Sequence, residues 1–220
     1  MKPSVTSATP TKTAEYISRL KKEYPDAHCE LNYGSPFQLL IATILSAQCT
    51  DIRVNKVTDV LFLKYPEAQD LASAQLTEVE QIIKSTNFYR NKAKNIIECS
   101  RLLIEQYQGK VPPDMDKLIE LPGVGRKTAN VVLGNAFNIP AGVVVDTHVR
   151  RLSQRLGWTK KIEPEKIDID LQGIVPKEDW VLVPHLLIFH GRRICKARTP
   201  ACNSCFLFDI CPRKKVSVHS

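Results

Sequence analysis

No stretch of the 220-residue chain approaches the roughly 18–20 consecutive apolar residues that a bilayer-spanning helix needs. That excludes a membrane-spanning class. The first residues, Met1 to Thr13, are rich in Ser, Thr and Pro and lack the apolar segment of an export signal. They read as a flexible tail. No internal repeat, low-complexity core segment or long linker is present. The one β-branched run, Val143-Val144-Val145, is too short to imply a sheet. Seven cysteines are an odd number, which argues against a closed disulfide framework. Without an export signal the cell interior is the expected compartment, where thiols stay reduced.

What is present is ordinary globular composition, 43% hydrophobic and 25% charged. A chain of this length buries roughly 70% of its unfolded surface, so it can build a core without covalent staples. Lys and Arg number 31 against 23 Asp and Glu, a net charge of +8. That balance suits a polyanionic partner, nucleic acid foremost, and equally a merely soluble basic protein.

Helix follows helix. Ser35 and Pro36 form a start signal for a helix whose apolar positions are Phe37, Leu40, Ile41, Ile44 and Leu45. Val54, Val57, Leu61 and Leu63 predict a second, ended by Tyr65-Pro66, and Thr77-Glu78-Val79-Glu80 a capping box for a third. Ala93, Ile96, Ile97, Leu103 and Ile104 mark a fourth, closed by Gly109. A short helix over Met115 to Glu120, a turn over Leu121 to Gly125 and a helix over Arg126 to Phe137 follow. Asp146 caps a helix reaching Leu156 with Gly157 as its stop; Ile162 to Ile174 and Asp179 to His190 are two further amphipathic stretches. Pro184 either sits in the first turn of the last or kinks it. The predicted class is all-α.

Two segments carry chemistry. In Leu121-Pro122-Gly123-Val124-Gly125-Arg126-Lys127 the glycines permit positive φ and leave no Cβ between backbone and ligand. Amides of the turn and of the next helix's N-terminus then face outward together, an anion site suited to phosphate. The alternative is an ordinary tight turn. The second segment is Cys195, Cys202, Cys205 and Cys211, four thiols within 17 residues. Zinc sites more often pair two cysteines with a distant second pair; four ligands in one short coil favour a 4Fe–4S cluster, with zinc and free thiols as alternatives. Arg192, Arg193, Lys196, Arg198, Arg213 and Lys214 crowd this segment and would meet phosphates.

Together these motifs resemble the endonuclease III family of DNA glycosylases. Leu121 to Ala129, Val145-Asp146-Thr147-His148-Val149 and the cysteine spacing carry the likeness, with support from Ser46-Ala47-Gln48-Cys49-Thr50-Asp51 and Phe88-Tyr89-Arg90-Asn91-Lys92-Ala93. The resemblance covers roughly Leu31 to Pro212. It implies a helix–hairpin–helix lobe over residues 29–139, a discontinuous iron–sulfur lobe over 13–28 plus 140–220, and a DNA-binding cleft between them, after a tail over 1–12. It further implies a monomer that acts on damaged double-stranded DNA in a bacterial or archaeal cytoplasm, at the nucleoid. Oxidised or ring-saturated pyrimidines are removed and the strand is then nicked.

The resemblance makes Lys127 the nucleophile at the sugar C1′ and Asp146 its carboxylate partner. A free lysine is neutral in only about one molecule in a thousand at pH 7.4, a shortfall of about 4 kcal/mol. Partial burial, Arg126 and the helix N-terminus are expected to favour the neutral amine, and a charged Asp146 opposes them. Asp146 therefore either takes a proton as attack proceeds or stabilises positive charge on the sugar. Leu121, Gly123, Val124, Gly125, Arg126, His148, Arg192 and Lys196 are implied DNA contacts. Gln48 is implied beside the gap left by a flipped base and Phe88 as an apolar wedge. The family usually places Gly before the wedge; here Asn87 stands there, a residue that tolerates left-handed φ. Related adenine-mismatch enzymes generally lack a lysine at the hairpin and carry a further C-terminal domain, so Lys127 and the end at Ser220 imply lyase action too. A non-catalytic DNA-binding module would need the glycines and basic face, but not Lys127 with Asp146. An iron–sulfur electron carrier would not need the hairpin.

Overall fold

The computed structural model describes residues 9–216. Among them lie eleven α-helices, two short 3₁₀ turns and no strand, so the class is all-α. Of the tail expected over 1–12, the first eight residues lie outside the described ones. The last three are helical, because Thr9 accepts a hydrogen bond from the Lys12 amide and Pro10 opens helix α1 (Pro10–Glu23). Contacts divide the chain into two compact units. One is Glu30–Ala141; the other joins the described residues up to Cys29 to those from Gly142 onward.

The continuous unit is built around α2 (Pro36–Ser46). Its apolar residues occupy every side of the helix, and Phe37 and Leu39 through Leu45 are all buried. Around it lie α3 (Asp51–Lys64), α4 (Ala68–Ala72), α5 (Leu76–Ile83), α6 (Tyr89–Tyr107), α7 (Met115–Ile119) and α8 (Arg126–Phe137). Helix α2 packs against α3, α6 and α8, and α4 and α5 pack on α6. Ser35 caps α2, and Asp114 caps α7 through the Lys117 amide at 3.0 Å; such caps contribute about 1 kcal/mol each.

Two local expectations fail here. The expected box at Thr77 to Glu80 does not form, because α5 already starts at Leu76 with Gln75 as its cap. Glu78 instead binds the Lys64 ammonium and accepts from the Tyr65 hydroxyl at 2.7 Å. The reciprocal box stands at α4, between Glu67 and Asp70. Leu63 is 88% exposed, because at helical spacing it falls on the side of α3 opposite Val54 and away from the buried Val57 and Leu61.

The discontinuous unit packs α1 with α9 (Thr147–Arg155), α10 (Pro164–Gln172) and α11 (Leu182–Arg193). Its core joins Tyr16, Ile17 and Leu20 to Val149, Leu152, Trp158, Leu186 and Leu187. Each fully buried aliphatic side chain stabilises by about 1.5–3 kcal/mol. The Tyr16 hydroxyl donates to the Ile210 carbonyl, tying α1 to the cysteine segment. Helix α11 begins at Leu182, later than Asp179, which sits in a 3₁₀ turn and pairs with Lys21 at 2.6 Å. Pro184 therefore lies in the first turn of α11, where its missing N–H costs nothing.

Candidate functional site

In the continuous unit the turn between α7 and α8 is held by its apolar residues. Leu118, Leu121 and Val124 are buried. Leu121 and Val124 were expected to touch DNA; with their side chains in the core, only their backbone is available for that. Gly123 takes φ +79°, and a Cβ there would stand 3.1 Å from the Asn95 side chain and 3.2 Å from that of Ile44. Glycine is needed for both reasons, and the hairpin thereby sits down on α2 and α6. Gly125 differs. Its φ is −92°, and nothing lies within 4 Å of a built Cβ. Its use is open space above the backbone, not a left-handed turn as expected.

No side chain caps α8, and its first turn holds no acidic residue. Arg126 and Lys127 stand there instead, exposed, at the positive end of the helix dipole. Each such cation costs about 0.3–1 kcal/mol. An anion lying over the uncapped amides would turn that repulsion into attraction. Lys127 is exposed, so the partial burial expected of it is absent.

The same unit carries two left-handed tips. Gln48, just past α2, has φ 54°, and Phe88, which caps α6, has φ 56°. Both are exposed; Phe88 shows 62% of its surface, unlike a core aromatic. The expectation that Asn87 takes the left-handed conformation is corrected, since Phe88 takes it. Asn87 extends its side-chain amide to the Gln48 carbonyl at 2.6 Å. Lys92 was missed from the sequence. It is 5% exposed, and its Nζ donates to the Leu45 and Ala47 carbonyls at 2.7 Å each. Burial pulls its pKa below the ordinary lysine range. A signal existed: Lys92 lies on the stripe of Ile96, Cys99 and Leu103, the inward face of α6.

In the other unit Asp146 is half-buried at the start of α9, and its Oδ1 accepts the Val149 amide at 2.7 Å. His185 on α11 lies in its field; burial, and then His28, bring its pKa down to about 4, while Asp146 acts in the opposite sense. His148 faces Arg151 at 3.2 Å rather than solvent alone. Arg151 Nη2 also donates to the carbonyls of Gly191 and Cys195 at 3.1 and 3.2 Å.

The four cysteines line one pocket with Leu152, Leu156, Pro200 and Leu207. Among the described residues no three His, Cys, Asp or Glu side chains converge closely enough for a single metal ion. Burial pushes the Cys211 thiol up to about 11 and raises that of Cys205. Donors nevertheless approach the sulfurs. Arg155 Nη1 lies 3.2 Å from Cys195 Sγ, the Leu207 amide 3.4 Å from Cys205 Sγ, and His190 Nε2 3.6 Å from the same sulfur. Arg155, buried, also donates to the Lys196 and Ala197 carbonyls at 2.7 and 2.8 Å. Arg192 and Lys196 are exposed beside the segment. Arg155 and His190 went unnoticed in the sequence because their partners are remote along the chain.

The description "HhH-GPD superfamily base excision DNA repair protein" fits residues 41–177. A protein named endonuclease III from Synechocystis sp. is 53% identical over 206 residues, 94% of this chain and 94% of that one. The endonuclease III of Bacillus subtilis is 50% identical and covers 89% of each chain. A solved structure described as a trapped endonuclease III–DNA covalent intermediate superposes with a TM-score of 0.87 at 48% identity. It covers 94% of this chain and 97% of that one.

Proposed function

This chain belongs to the HhH-GPD superfamily of base excision DNA repair proteins, and from that premise we propose that Lys127 and Asp146 carry its chemistry. The protein is a DNA glycosylase and abasic-site lyase acting on damaged DNA. Its substrates are duplexes holding oxidised or ring-saturated pyrimidines. The observation that carries the assignment is an exposed lysine in the uncapped first turn of α8, directly after a glycine turn suited to phosphate.

The steps follow from those groups. The hairpin amides and Arg126 grip a backbone phosphate and hold the strand in register. The damaged nucleotide is turned out of the stack, with Gln48 entering the gap it leaves and Phe88 wedged at the opposing strand. The neutral Lys127 amine attacks C1′, the C1′–N bond breaks, and the base departs taking a proton. The nitrogen gives up a proton, the C1′–O4′ bond breaks as O4′ takes one up, and the opened sugar is left as an iminium that acidifies the C2′ proton. Loss of that proton expels the 3′ phosphate, and water then frees the lysine. Asp146 Oδ1 is engaged as a helix cap. Oδ2 serves the reaction, taking a proton from the amine or opposing positive charge on the sugar.

We assign Cys195, Cys202, Cys205 and Cys211 to a 4Fe–4S cluster. Four thiols lining one pocket within 17 residues of chain form a donor set suited to such a cluster, and N–H donors directed at the sulfurs suit thiolates. When bound, the cluster cross-links the segment and so presents Arg192 and Lys196 to phosphates. The relatives named above are bacterial, and no helix among the described residues is long and apolar enough to cross a membrane. We place the protein in the cytoplasm with the chromosome, acting as a monomer.

Borohydride trapping tests the assignment. The protein should form a covalent adduct with a damaged duplex, and Lys127→Gln should form none while still binding it. An adduct of undiminished yield in Lys127→Gln would show that another amine is the nucleophile.

A further inference from the structure

The two left-handed tips do not stand alone. Gln48 follows α2, and Phe88 precedes α6. They are 40 residues apart in sequence, yet three side-chain hydrogen bonds tie their bases together. Asn87 Nδ2 holds the Gln48 carbonyl at 2.6 Å. Lys92 Nζ holds the carbonyl of Ala47, the residue before Gln48, and that of Leu45, each at 2.7 Å. The Lys92 amide in turn donates to the Phe88 carbonyl at 3.0 Å, closing the first turn of α6. From Phe88 the path runs through one helical turn to Lys92 and across to the residue beside Gln48.

We propose that Lys92 and Asn87 are positioning residues that brace Gln48 and Phe88 into one rigid two-pronged wedge. The inference rests on the reading that these two tips enter the duplex when the base leaves it.

Three features support the brace. An ammonium has three donors and no acceptor, so it can bridge carbonyls that end a helix and have no partner of their own. Lys92 does this from a buried site, where a lysine that did nothing would be unfavourable. Left-handed φ at non-glycine residues persists only where the surroundings impose it. At Gln48 these hydrogen bonds hold the carbonyls of Ala47 and of Gln48 itself, and at Phe88 the Lys92 amide holds the carbonyl. A tip already held in shape loses no backbone freedom when it enters DNA; a loose one must be ordered at that moment. The hairpin rests on α2 and α6 as well, through Gly123 against Ile44 and Asn95. One helix pair therefore sets the phosphate grip and both tips.

The brace should matter only where a base pair has to be opened. Lys92→Met and Asn87→Ala are compared with the unaltered protein on two substrates: excision of a damaged pyrimidine in duplex, and β-elimination at an abasic site in a single strand. Unstacking is followed by fluorescence of 2-aminopurine placed next to the lesion. Single-turnover excision in duplex should fall about tenfold, the cost of ordering roughly one further residue, with the unstacking signal slowed in step. Elimination in the single strand should hold. Equal losses on both substrates, or an unchanged duplex rate, would overturn the brace. Asn87 is exposed, so Asn87→Ala decides the matter should Lys92→Met fail to fold. Phe88→Ala separates the two layers of the argument. If it leaves duplex excision unchanged, the wedge reading falls and the brace with it. If it slows excision while Asn87→Ala and Lys92→Met do not, the brace alone falls.

Discussion

Gly123 and Gly125 are two residues apart, yet alanine should affect different properties at each. At Gly123, alanine must adopt φ +79°, which costs a residue with a Cβ about 1–2 kcal/mol. The added methyl also meets Asn95 at 3.1 Å and Ile44 at 3.2 Å, and overpacking of that kind costs about 1–3 kcal/mol. Lower entropy of the unfolded chain returns about 0.4–1 kcal/mol. The net loss is about 1–4.5 kcal/mol, felt by α2, α6 and α8. At Gly125 the backbone is extended and the space is empty. Alanine at this helix start should cost under about 1 kcal/mol. Its methyl would nonetheless occupy the space a phosphate needs, and losing one backbone contact to a charged oxygen weakens DNA binding about tenfold or more. Urea titration by circular dichroism and amide exchange across the three helices measure stability; titration with an abasic-site analogue duplex measures affinity. Normal affinity in Gly125→Ala would refute backbone gripping of phosphate at this turn. A loss under about 1 kcal/mol in Gly123→Ala would refute the packing argument.

Two further outcomes concern the discontinuous unit. Arg155→Met removes the donor to Cys195 Sγ and to the carbonyls of residues 195–197. It should lower iron and sulfide per chain from about four each, measured on purified protein; a colourless unaltered protein holding one zinc would overturn the cluster assignment. His185 has its pKa brought down to about 4, so it stays neutral in the fold while the unfolded chain takes up a proton. The folded state is therefore favoured above about pH 6.5 and loses stability as pH falls from there to about 4. His185→Gln should flatten that fall in urea midpoints read by tryptophan fluorescence, and an unaltered slope would count against it.

Much of the helical order was legible in the chain. Ser35-Pro36 and Asp146 are local signals, because a cap and its amide lie three residues apart. The glycine turn and the cysteine comb were legible for the same reason of short range. Local signals misled where two starts competed: Thr77 and Glu78 spell a capping box, but Glu78 finds better partners in Lys64 and Tyr65 across the fold.

Sequence alone settled which residue types lie in which order: an all-helical chain, a basic balance, a lysine after a glycine turn and four clustered thiols. Tertiary structure decided what each group touches. It put Leu121 and Val124 inside, gave positive φ to Gly123 but not Gly125, moved the left-handed bend from Asn87 to Phe88, and buried Lys92 and Arg155 against carbonyl oxygens. Helical periodicity repeats every 3.6 residues and shows in any short window. A buried cation's acceptor lies wherever another helix happens to end, and no local pattern carries that information.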